Sequence, residues 1–228
     1  MTTDTSRALT LVCGNRNYSS WSLRAWLCMR KAGLDPDVVV LPMDTPEFED
    51  RIAQYSPTRR VPVLWIDDEW VWDSLAIAET VNERYADAKM WPTDEGLRAF
   101  GRAMAAEMHS GFGALRHALP MNCRARQRSV LVSADVRSDI DRLCELWRQA
   151  KAKSGSGTWL LGDFSIVDAM FAPVALRFRA YELELPENAK QYLAHWLADA
   201  DLQAWIALAE EESWVIHHEE VGDGASPQ

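Results

Sequence analysis

At 228 residues, with 48% apolar and 25% charged positions, the chain is long enough to bury one large core or two modest ones, and its composition is that of a soluble globular protein. A formal net charge of −10 argues against nucleic acid or an anionic membrane surface as the main partner. The four cysteines form neither a CxxC pair nor a metal-type spacing. Cys13, Cys28 and Cys144 sit among apolar neighbours and read as small core residues. With no charged-then-apolar leader and no apolar run long enough to span a bilayer, a reduced, cytosolic compartment is expected.

Taken in order, the polar residues 1–8 predict a loose start. Leu9-Thr10-Leu11-Val12-Cys13 has the pattern of a short strand closed by Gly14-Asn15. A polar loop over residues 15–22 is rich in helix-capping types. From Trp21 onward Leu23, Trp26, Leu27 and Arg30 trace a helical face ending at Gly33. Asp37-Val38-Val39-Val40-Leu41 predicts a buried strand, and strand–helix–strand at this spacing predicts a parallel pair with a right-handed crossover. Thr45-Pro46-Glu47 supplies a cap, a proline in the first turn and an acid, opening a short helix to Tyr55. Strands over 61–66 and 69–72 meet at Asp67-Asp68 as a hairpin. Leu75, Ala78, Val81 and Tyr85 then recur at helical spacing.

Residues 86–92 break the pattern and read as a linker, and no strand is expected beyond Pro92. Thr93-Asp94 caps a long helix running towards Leu119-Pro120, and residues 124–153 predict a second. Ser154-Gly155-Ser156-Gly157 is a break. Ser165 and Asp168 have the spacing of a capping box ahead of an apolar helix. Residues 188–197 and 201–212 predict two further helices, with a disordered tail over 222–228. No metal cluster, P-loop or GxGxxG occurs, which disfavours metal and nucleotide chemistry. The fold class is therefore α/β followed by all-α, with domains at 8–86 and 93–215.

The chemistry concentrates in residues 56–85. Proline in Val61-Pro62 marks the first residue of a strand or an edge, leaving the backbone of Val61 free to pair with an extended, peptide-like ligand; X-Pro bonds are also the usual site of a cis peptide. Asp73-Ser74 precedes a helix. Ser74 is a good N-cap, a helix N-terminus favours a carboxylate, and Asp73 beside it suits an ammonium group. Ser56-Pro57, Val61-Pro62 and Asp73-Ser74-Leu75-Ala76-Ile77, in this order and spacing, resemble the thioredoxin-like domain of the glutathione S-transferase family. The helical second half, with Ser165-Ile166-Val167-Asp168, is similar to that family's C-terminal domain. The resemblance spans roughly residues 9 to 212.

The resemblance implies a thioredoxin-like βαβαββα domain that binds glutathione, followed by an all-helical domain carrying an acceptor pocket. In the family a hydroxyl or thiol at the end of the first strand donates to the glutathione sulfur and lowers the thiol pKa. Here Asn17-Tyr18-Ser19-Ser20-Trp21-Ser22-Leu23-Arg24 resembles a bacterial group of the family and, distantly, its zeta-type isomerases. Counting back from Arg24 reaches Asn17, where a hydroxyl is usual, so the donor candidates are Ser19, then Asn17, then Ser20, with Tyr18 a wall of the site; capping of the helix alone is the competing reading. For glutathione itself the resemblance points to Arg60, Val61, Asp73 and Ser74. For the acceptor it points to Met108, His109 and Phe112, in a helix loosened by Gly111 and Gly113. Spacing alone suits Met108 and Phe112 equally to a core, and His109 to a satisfied histidine or a general acid or base. The implied activity is glutathione transfer to a small hydrophobic electrophile in detoxification, by a cytoplasmic homodimer; the alternatives are a zeta-like isomerase and a non-catalytic binding module.

Overall fold

The computed structural model describes residues 8–223, so the expectations for residues 1–7 and 224–228 lie outside the described residues. Four strands, β1 (Leu9–Gly14), β2 (Asp37–Leu41), β3 (Val63–Ile66) and β4 (Glu69–Val71), form a mixed sheet in the order β2-β1-β3-β4. β1 and β2 are parallel, and β3 is antiparallel to both β1 and β4. Helices α1 (Ser20–Lys31), α2 (Pro46–Ile52) and α3 (Ser74–Tyr85) complete the expected βαβαββα order.

Strand periodicity divides the packing between the two faces of the sheet. Leu11, Cys13, Leu64 and Ile66 point into the large core shared with α1, α3 and the second half. Val12 and Val63 join Leu41 and Ile52 in a small cluster with Phe48 and Tyr55, under α2. Fully burying one such aliphatic side chain contributes about 1.5–3 kcal/mol. α1 and α3 are therefore held on the side that meets the helical half, which fixes both helix starts near the junction.

The second half comprises α4 (Glu95–Ser110), α5 (Gly113–Ala118), α6 (Ala134–Ser154), α7 (Ile166–Ala180), α8 (Glu187–Leu197) and α9 (Ala200–Glu210). Only isolated bridges occur beyond β4 among the described residues. α7 is its axis: every residue except Arg179 is buried. Its capping box is present as expected, and Asp168 accepts from Ser165 N–H, Ser165 Oγ, Leu160 N–H and Tyr192 Oη at 2.9–3.0 Å.

Several boundaries differ from the sequence reading. The long helix from Asp94 ends at Ser110 because Gly111 and the left-handed Phe112 (φ 61°) turn the chain before α5. A side chain at Gly111 would stand 2.8 Å from the Glu107 carbonyl, so the turn requires glycine. Residues 124–133 are irregular rather than helical, held by bridges from Arg128 to Tyr181 and from Ser129 to Asp223. The cap of α3 is Asp73, not Ser74: Asp73 Oδ1 accepts from the N–H groups of Leu75 and Ala76, and Ser74 is the first helical residue. Val61-Pro62 is a cis peptide just ahead of β3. Trp91, Trp196 and Trp205 are buried packing residues, whereas Trp214 is 38% exposed. Among the described residues, no helix is long and apolar enough to cross a membrane.

Candidate active site

A cleft of about 560 Å³ opens where the two halves meet. Arg60, Val61 and Pro62 form one side, Trp72, Asp73 and Ser74 the next, and Trp21 and His109 close it. Sheet order produces this arrangement. The cis-proline corner leads directly into β3, β4 delivers the chain to the start of α3, and β1 delivers it to the start of α1.

Val61 lies outside the sheet ladder, whose β3 pairing begins at Val63. Its backbone thus borders the cleft at a strand edge, where an extended ligand can add. Ser74 is 1% exposed, and its Oγ is buried without a partner. A buried hydroxyl left unsatisfied costs about 1–3 kcal/mol. At the start of a twelve-residue helix, this donor faces the position where N–H groups and dipole favour a carboxylate. Arg60 adds a cation at the rim. Its neighbour Arg59 is committed to Glu49 at 2.7 Å, and Arg16 to Glu212 at 3.6 Å.

Asp73 does more than cap. Its Oδ2 lies 2.8 Å from His109 Nε2, so α4 of the second half reaches into the cleft. His109 Nδ1 is buried without a partner, and the ring stands edge-on to Trp21 at 5.2 Å.

The structure thus brings Arg60, Val61, Asp73, Ser74 and His109 together, and Ser20 opens α1 beside the lining residue Trp21. Ser19 caps α1 from a 4% exposed position, with its Oγ 2.8 Å from Ser22 Oγ. Asn17 is fully buried. Its N–H donates to Glu212 (3.2 Å) and its Oδ1 accepts from Arg124 N–H (2.9 Å), while its Nδ2 has no partner. Tyr18 turns towards the C-terminal segment, donating to Glu220 at 2.5 Å and accepting from Arg124 at 2.9 Å. Burial, reinforced by the bond to Glu220, pushes its hydroxyl pKa up. Asn17, Tyr18, Ser19 and Ser20 do not line the cleft themselves. Met108 and Phe112 are core residues, 1% and 7% exposed, and also lie off its walls.

Trp21, Trp72 and Thr58 line the cleft without having been singled out from the sequence. Trp72 had a signal: an aromatic residue at a strand end immediately before Asp73-Ser74. Glu212 and Glu220, which anchor the 15–18 loop from nearly 200 residues away, had none.

Residues 18–84 match the family model described as the glutathione S-transferase N-terminal domain. The chain is 23% identical over 172 residues to a probable maleylacetoacetate isomerase of Caenorhabditis elegans, an alignment covering 75% of this chain and 78% of that protein. Among solved structures it resembles a glutathione transferase homologue from Burkholderia, determined with bound glutathione, with a TM-score of 0.68, 22% identity, and coverage of 90% and 100% of the two chains. It also resembles a maleylacetoacetate isomerase from Anaeromyxobacter dehalogenans, with a TM-score of 0.61, 23% identity, and coverage of 88% and 91%.

Proposed function

We propose that the chain is a member of the glutathione S-transferase family that binds glutathione in the cleft and activates the thiol for attack on a small hydrophobic electrophile. One observation carries this reading: the partnerless, buried Ser74 hydroxyl at the start of α3, in the same cleft as the strand-edge backbone of Val61. Val61 pairs with the ligand backbone, Ser74 and the α3 N-terminus take the γ-glutamyl carboxylate, Asp73 takes its ammonium group, and Arg60 adds a cationic contact. Thiol activation falls to the start of α1, with Ser19 first, Asn17 second and Ser20 third, aided by the helix dipole. The acceptor enters beside His109 and Trp21, which line the cleft, while Tyr18, Met108 and Phe112 lie behind that lining.

The boundaries 8–86 and 93–215 divide these roles between a glutathione-binding and an acceptor-binding domain. We further read the protein as a cytoplasmic homodimer acting in detoxification, and the 17–24 motif as that of a bacterial group within the family. Calorimetry tests the binding reading: glutathione binds the wild type, and Ser74→Ala weakens it about tenfold or more through loss of a hydrogen bond to a charged group. A wild type that takes up no glutathione at millimolar concentration contradicts the proposal and favours a non-catalytic module.

A zeta-like isomerase is the second reading, favoured by the likeness to the Caenorhabditis elegans protein. It uses glutathione without consuming it, so turnover with no loss of free thiol selects it.

A further inference from the structure

Three arginines from different helices are neighbours beside Trp21: Arg24 of α1 and Arg116 of α5 against its ring, and Arg177 of α7 next to Arg116. The guanidinium carbons of Arg24 and Arg116 stand 4.3 and 4.8 Å from the centroid of the same Trp21 ring, and Arg177 donates to the Arg116 carbonyl at 3.4 Å. Arg24 and Arg177 are 1% and 5% exposed.

Their hydrogen bonds go to main-chain carbonyls. Arg24 donates to Met170 (3.0 Å), Arg116 to Gly111 (2.9 Å), His109 (3.5 Å) and Met108, and Arg177 also to Leu119. Among the described residues, none of the three has a carboxylate within ion-pair distance. The acids that act on them from further off are engaged elsewhere or distant. Asp73 caps α3 and meets His109, Asp139 accepts from Leu115 N–H at 2.9 Å, and Glu219 reaches Arg177 only through longer-range attraction. Carbonyls satisfy the donors' geometry but leave like charges uncompensated in a medium of low polarity. Burial, and for Arg24 and Arg177 the neighbouring guanidinium groups as well, pull these pKa values down. One donor is left over: Arg24 Nη1 is buried and has no partner.

We propose that the Arg24–Arg116–Arg177 cluster is a binding site for a small anion. The occupant is either a free inorganic ion or the carboxylate of a molecule lying in the adjoining cleft, with Trp21 as the shared wall. Arg116, the half-buried member, gives access, and Arg24 Nη1 supplies the waiting donor. This site stands independently of the glutathione reading.

The test is thermal unfolding of the full-length protein in sodium chloride, sodium phosphate and sodium benzoate, each at matched ionic strength against the bulky sulfonate HEPES, with benzamide as the uncharged control. The expected result is a saturable rise in Tm beyond HEPES for at least one anion, lost in Arg116→Met and Arg177→Met and kept in Arg116→Lys. A rise with chloride or phosphate identifies a free ion; a rise with benzoate alone, absent with benzamide, identifies a ligand carboxylate. The readout is the anion-dependent increment, so a variant that is merely less stable still answers. Equal Tm in all anions for the wild type, or an increment unchanged in both Met variants, overturns the proposal.

Discussion

His109 Nε2 lies 2.8 Å from Asp73 Oδ2, tying α4 of the helical half to the residue that caps α3. One carboxylate thereby fixes a helix start with Oδ1 and one end of the cleft with Oδ2. Capping needs only an oxygen acceptor, whereas holding an ammonium group needs the negative charge.

That distinction gives a first prediction. Asparagine caps a helix about as well as aspartate, so Asp73→Asn leaves Tm within a few degrees of the wild type. On the proposed binding mode it removes the negative partner for the γ-glutamyl ammonium group, and glutathione Kd rises about tenfold, or roughly 1.4 kcal/mol. Calorimetry alongside thermal unfolding checks both halves. Unchanged affinity would assign Asp73 to structure alone.

Asp168 supplies a pH prediction. Burial pushes its carboxyl from an ordinary 3.8 up to about 6, against four hydrogen bonds that favour the anion. An acid whose pKa is raised on folding holds its proton more tightly in the native state. Its contribution is complete below the unfolded value of 3.8 and is lost as pH rises through about 6. The wild type therefore loses on the order of 2–3 kcal/mol from this group between those limits. Urea unfolding across this window should fall more steeply with pH for the wild type than for Asp168→Asn. Parallel curves would contradict the assignment.

The thiols give a third. Cys13, Cys28, Cys123 and Cys144 are all buried, and burial raises each pKa, with Cys13 and Cys123 at about 12 and Cys144 at about 11. The thiolate is the reactive form. Ellman's reagent at pH 8 should therefore leave all four unmodified over minutes in the native protein, and titrate all four after denaturation. Glutathione-dependent turnover should survive iodoacetamide treatment. Rapid loss of activity on alkylation would place a cysteine in the chemistry.

Much of the fold was legible because local rules and global packing agree. Thr45-Pro46, Asp94 and Ser165 cap the helices they precede, and the alternation of Leu11, Val12 and Cys13 marks a strand buried on both faces. The failures have local causes. Phe112 adopts a left-handed conformation that its residue type does not announce, and residues 124–133 exchange helical bonds for contacts with Tyr181 and Asp223, far along the chain. That Arg60, Val61, Asp73 and Ser74 share one cleft was readable since they are close in sequence. His109 opposite Asp73 and the three arginines beside Trp21 were not, because α1, α4, α5 and α7 meet only through tertiary packing.

Thiol activation at the start of α1 is tested most directly by a pH titration of thiolate ultraviolet absorbance for glutathione bound to the wild type and to Ser19→Ala, Asn17→Ala and Ser20→Ala. The expected result is a thiolate signal in the wild type well below the free thiol pKa of about 8.5, and loss of that shift in Ser19→Ala. Bound glutathione with an unshifted thiol would contradict it. A shift that persisted in Ser19→Ala and vanished in Asn17→Ala or Ser20→Ala would move the donor to that residue.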